Sequence, residues 1–160
     1  MKKLLVLAAS LLLLVSPAGA LAHALGEHYI WLDVGVNQLS GDVEINTRDL
    51  AGLLEFDLDP EVPITDGAIA PYRQQLIDLV SEGLDFYGPR GEFPLDIQEV
   101  TVRSFEEGNF VRVLFTAGDG APVGKTVRVR DEMFFDLSLQ HRGILLIRSN
   151  ERTGETVEVG

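Results

Sequence analysis

The sequence predicts a mainly β fold, an antiparallel two-sheet β-sandwich with one inserted α-helix, and three observations predict it. Stretches of alternating apolar and polar residues recur along the chain, about eight of them at close spacing. A single segment switches to steps of three and four residues. The chain holds no cysteine. With no staples available, stability must come from strand faces buried against each other.

The first element is a leader. Lys2 and Lys3 form a positive start, and Leu4 to Val15 is apolar apart from Ser10. Pro17 then precedes small residues, the layout of a secretory signal peptide that is short for a membrane span. The expected division is residues 1–22 as signal peptide and 23–160 as a single β-sandwich domain. The expected location is periplasmic or secreted, with no transmembrane segment in the mature chain. Three cuts fit the small-residue rule. Ala20 and Ala22 give a chain that begins at His23, Ala18 and Ala20 one that begins at Leu21, and Ala22 and Ala24 one that begins at Leu25. The first presents an α-amine and an imidazole on one residue. The second places histidine third, where an amine, two amides and an imidazole make a square-planar nitrogen set for Cu(II) or Ni(II). The third cut removes His23.

After the leader, "HYIWLDVG" places Ile30, Leu32 and Val34 on one face and Tyr29, Trp31 and Asp33 on the other. "GDVEINTR" sets Val43 and Ile45 against Asp42, Glu44 and Asn46 in the same alternation. A polar loop around "DPEVPITDG" follows. "IAPYRQQLIDLVSEGLDFYG" then carries Ile69, Tyr72, Leu76, Leu79, Val80 and Leu84 on one helical face. Pro71 suits a first turn, and Gly83 weakens the last. Strand periodicity returns in "LDIQEVTVRSF" and "NFVRVLFTA", which read as a hairpin through "EEGN", then in "KTVRVRDEMFFDLS", "GILLIRSN" and "ETVEV". "TAGDGAPVG" and "NERTG" read as turns.

Charge excludes some partners. The chain carries 13 basic and 25 acidic residues, a net charge of −12. Both lysines of the leader leave with it, so the mature chain carries −14. Such a chain repels nucleic acid and anionic lipid. Ten of the remaining cations are arginines. Arg128 and Arg130 share a strand face, and Arg103 and Arg112 lie in the preceding hairpin. They read either as an anion-binding strip or as cross-strand ion pairs, and so acidic a chain favours the pairs. Trp31, Tyr29 and Tyr87 read as cross-strand packing before they read as a ligand surface.

Most chemical motifs fail on spacing. "GDGAPVGKT" puts Gly120 one residue too close to Gly124 for a phosphate loop, and a strand pattern follows where a helix is needed. An Asp-Gly turn explains it. "DLDPE", Asp57 to Glu61, clusters carboxylates but lacks the glycine and the distant glutamate of an EF-hand loop. No Gly-x-Ser-x-Gly elbow is present. The expectation is that the chain is not an enzyme. Three histidines remain as candidate metal ligands: His23 near the cut, His28 at the head of the first strand and His141 in "LQHRG". Only the fold can bring them together.

The histidine-bearing "AH", the alternating first strand, "EINTRDLAGLLEFDLD", the "APYRQQLIDLVSEGLDFYG" helix and a closing hairpin "VRVRDEMFFDLSLQHRGILLIRSN" form one layout. It resembles the extracytoplasmic β-sandwich domain of HupE/UreJ-like accessory proteins. Placement of His23 also resembles copper carriers of the CopC type. The first resemblance implies an immunoglobulin-like sandwich in an accessory role connected with metal transport or a membrane permease. The leading expectation is therefore an exported, non-catalytic binding protein with a protein or membrane-permease partner, recognisable by an exposed apolar patch or sheet edge. The alternative is a periplasmic Cu(II) or Ni(II) carrier that uses His23, with His28 or His141.

Overall fold

The computed structural model describes residues 26–59, 62–105, 108–118, 120–150 and 156–159. Two sheets face each other. The first holds β1 at Glu27–Val34, β2 at Leu39–Asn46, β5 at Leu95–Phe105, β6 at Gly108–Ala117 and β8 at Arg142–Asn150, in the order β5-β6-β2-β1-β8. The second holds β3 at Leu84–Gly88, β4 at Gly91–Phe93, β7 at Thr126–Asp131 and β9 at Thr156–Val159, in the order β4-β3-β7-β9. The mainly β, sandwich-like class follows from the sequence as expected. Pairing is antiparallel except that β8 runs parallel to β1 and β9 parallel to β7.

Alternation decides which side chains face the core. Ile30, Leu32 and Val34 of β1 and Leu39, Val43 and Ile45 of β2 are all buried. Val111, Val113 and Phe115 of β6 join them, and Phe86, Val127 and Val129 come from the second sheet. The Phe86 and Phe115 rings meet across the two sheets at 5.3 Å between centroids. Each such large buried side chain contributes about 2–3 kcal/mol by leaving water.

The inserted helical segment is shorter than its periodicity suggested. After helix α1, Thr47–Leu53, come a four-residue turn of helix α2, Asp66–Ile69, a 3-10 turn, Ala70–Tyr72, and the main helix α3, Arg73–Gly83. Ile69, Leu76 and Val80 are buried as the pattern required, and Pro71 sits in the 3-10 turn. Helix α3 leans on β5, an edge strand, and so covers one side of the sandwich. "LDFYG" is not helix but β3. After Gly83, a poor helix former, Leu84 and Phe86 face the core while Asp85 pairs across to Arg130 of β7. The strand read over "GDVEINTR" ends at Asn46, whose side chain accepts the Arg48 N–H at 2.9 Å and caps α1.

The supposed closing hairpin is a crossover. Strands β7 and β8 lie in different sheets, and residues 132–141 carry the chain from one to the other. The strand read over "KTVRVRDEMFFDLS" stops at Asp131, whose Oδ1 accepts the Met133 N–H at 3.2 Å and turns the backbone. Phe134 then takes φ +66°, which aims its ring back into the molecule, where it is buried.

Candidate functional site

The crossover joins a buried polar chain on its inner side to an apolar surface on its outer side. Asp131 faces inward by the parity of Val127 and Val129, and His28 by the parity of Ile30 and Leu32. The two meet between the sheets, His28 Nε2 lying 2.9 Å from Asp131 Oδ2. The contact is electrostatic, because the oxygen lies off the line of a hydrogen bond. On its other side, His28 Nδ1 and His141 Nε2 share a hydrogen bond of 2.9 Å. The two imidazoles stack with 5.1 Å between centroids, and the Phe134 ring closes on His141 at 4.4 Å. His28 is fully buried, and His141 and Asp131 nearly so.

Gly143 makes room for this chain. It stands beside His28 in the parallel pairing of β1 and β8. A Cβ there would overlap the Asp131 carboxylate and approach His28 Nε2 to 3.0 Å.

Charge assigns the protons. The Asp131 carboxylate favours the proton on His28 Nε2, which leaves Nδ1 as an acceptor. His141 must then donate from Nε2, so its Nδ1 carries a bare lone pair. Burial, followed by the neighbouring His28, lowers the His141 pKa to about 4, so the ring is neutral at pH 7. His141 Nδ1 has no hydrogen-bond partner among the described residues.

Besides His28 Nε2 and His141 Nδ1, a third buried atom lacks a hydrogen bond among the described residues. Asp49, buried on α1, accepts the Gly26 N–H on Oδ1 at 3.0 Å, while its Oδ2 has no partner among the described residues. Burial pushes this carboxyl above its usual range, and the Gly26 and Glu27 amides and His28 pull it back. Gly26 has φ +91°, and His141 Nδ1 is 3.9 Å from where its Cβ would stand. His141 Nδ1 and the Asp49 carboxylate, through its bonded Oδ1, thus both lie beside Gly26.

The outer side of the crossover is apolar. Phe135, Leu137 and Leu139 are 40%, 51% and 99% exposed. A shallow cavity of about 360 Å³ beside them is walled by Leu79, Met133, Phe134 and Leu137, with Glu82 and Asp136 on its lining.

Elsewhere Arg103, Arg112 and Arg130 are engaged in ion pairs, as the acidic composition suggested, and so are Arg142 and Arg148. On the outer face of the first sheet, Asp42 takes Arg112 at 2.7 Å and 3.1 Å and Arg148 at 2.7 Å. Glu44 takes Arg112 at 3.2 Å and the Trp31 indole N–H at 2.8 Å. Arg130 binds Asp85 at 2.7 Å.

His28 and His141, 113 residues apart, are thus brought together. They bond to each other, so the two facing nitrogens are not free for one metal ion. His23 lies outside the described residues, as do Pro60 and Glu61 of the acidic cluster. No three metal-ligating side chains converge among the described residues. Sequence reasoning missed Asp131 and Asp49. An inward carboxylate closing the alternation Val127, Val129, Asp131 was the available signal for the first; Asp49 offered none. "GDGAPVGKT" leads into β7, not a helix, which removes the phosphate-loop reading. No helix among the described residues is long and apolar enough to cross a membrane. Compared with protein-family models and with curated proteins, the chain matches none.

Proposed function

We infer that the chain is an exported, non-catalytic sandwich that docks onto another protein through the outer side of its crossover. Its role is accessory, beside a metal-transport or membrane-permease system. The observation that carries this reading is the exposure of Phe135, Leu137 and Leu139 on one connection between the sheets. Three large apolar side chains clustered in a single loop are a surface feature that partners cover. Glu132 and Asp136 on the same loop and Glu82 beside it suit a partner with basic residues around an apolar one. The phrase "FFDLSLQHRGILL", which resembles the HupE/UreJ-like domain, falls on this crossover. Complete burial of His28 supports a non-catalytic role, because its pairing with a carboxylate cannot meet a substrate.

Site-specific photocrosslinking in the exporting cell tests the reading. A crosslinker at position 139 of the full chain should give one adduct with a membrane permease or its accessory protein, and Leu137→Ser should abolish it. Equal labelling from a control position on β5, such as Glu99, or no adduct at all, removes the docking role.

A further inference from the structure

We propose that the groove between helix α3 and the crossover seats a basic amphipathic segment of the docking partner. An apolar side chain of that segment enters the groove, and its cations meet the carboxylates around it. The proposal rests on the docking reading above and adds the chemistry that the partner presents. Leu79 and Gly83 of α3 line one side of the groove, and Met133, Phe134 and Leu137 of the crossover line the other. Its shape is fixed before any partner arrives. The Glu132 N–H donates to the Gly83 carbonyl at 2.7 Å, which ties the crossover to the end of α3. The Leu137 and Ser138 N–H groups both donate to the Phe134 carbonyl at 2.9 Å. Gly83 keeps the two elements close, since a Cβ there would stand 2.6 Å from Met133 Cγ. A preformed surface loses less binding energy to its own ordering.

Charge selects the occupant. Glu82, Glu132 and Asp136 line the groove and are exposed, and among the described residues no lysine or arginine lines it. Glu82 and Asp136 make no side-chain hydrogen bond or ion pair among the described residues. Glu132 reaches Arg130 only at 3.9 Å, beyond hydrogen-bond distance. On the outer face of the first sheet, by contrast, arginines hold Asp42 at 2.7 Å and Glu44 at 3.2 Å. The carboxylates beside the groove are thus open to cations from outside. An anionic segment is repelled there, and a purely apolar one leaves the three carboxylates without counter-charge. A segment with leucine or phenylalanine on one face and lysine or arginine beside it meets both demands.

The test uses the exported protein and two synthetic amphipathic peptides of equal length, one of leucine and lysine, the other of leucine and glutamate. Met133 is the chain's only methionine besides Met1, so its carbon-13 methyl signal reports on the groove. The leucine–lysine peptide should shift that signal saturably, and about 0.5 M salt should weaken its binding. Glu82→Lys with Asp136→Lys should weaken it about 10-fold or more. Both side chains are exposed, so this paired variant should keep its fold, which far-ultraviolet dichroism checks. The same change of charge on β5, Asp96→Lys with Glu99→Lys, should weaken binding far less. A Met133 signal that stays still, equal binding of the leucine–glutamate peptide, or equal losses from the two paired variants would each overturn the proposal. A position-139 adduct that survives Glu82→Lys with Asp136→Lys would also overturn it while leaving docking in place. No adduct from the unaltered chain would remove docking itself, and this proposal with it.

Discussion

Asp42 and His141 are equally withdrawn from water, 2% and 3% exposed, yet their surroundings differ in kind. Asp42 lies on the outer face of the first sheet, where Arg112 and Arg148 occupy both of its oxygens. Both arginines stand on strands of that same sheet, and register alone aligns them. His141 lies where a crossover meets the start of β1, and one of its nitrogens has no partner among the described residues. A completed network on a sheet surface stabilises, whereas an incomplete one at the meeting of three elements leaves a polar atom whose burial is uncompensated among the described residues. Burial does not separate the two cases; satisfaction does.

Four substitutions sharpen that contrast. Asp42→Ala removes the acceptor that Arg112 and Arg148 share and leaves two part-buried guanidinium groups under-paired. It should cost about 3 kcal/mol, read from the urea midpoint. Gly143→Ala should cost about 2–3 kcal/mol, because its Cβ displaces the Asp131 carboxylate from His28. Unlike Asp42→Ala, it should also mix the two His141 tautomers in nitrogen-15 spectra. If those spectra stay native, Asp131 does not set the protons and the relay is misassigned. Trp31→Phe deletes the indole bond to Glu44 while Arg112 still holds that carboxylate, so a loss of about 1 kcal/mol is expected in the same unfolding assay. Leu139→Ser should leave the thermal midpoint unchanged, since the side chain is 99% exposed. A measurable loss there would mean that Leu139 packs against the protein itself.

The readable and unreadable parts of the molecule divide along the same line. The faces of β1 and β2 were legible because a period of two is a local property of the chain. Val127 and Val129 inward with Arg128 and Arg130 outward followed for the same reason. The boundary at Gly83 was not legible, since Leu84 and Phe86 continue an apolar pattern that a helix or a strand can use. Partnership with β7 decided it. The crossover was hidden because "MFFDLS" extends the strand reading of "KTVRVRDE", and only Asp131 turning onto Met133 breaks it. His28 and His141 were visible as histidines, but their meeting depends on β8 returning beside β1. Asp49 looked like any acid in the first turn of a helix.

That return has a cost in time. The residues that close β1 on its second side lie some 115 positions further along. As the chain is synthesised amino end first, β1 and β2 emerge long before β8 does. Until then β1 presents an open row of amides and carbonyls, flanked by the apolar side chains that will become the core. Contacts this distant in sequence form slowly. The interval between emergence and closure is thus the period in which this chain is most exposed to mispairing, and its length is set by how quickly the last strands arrive.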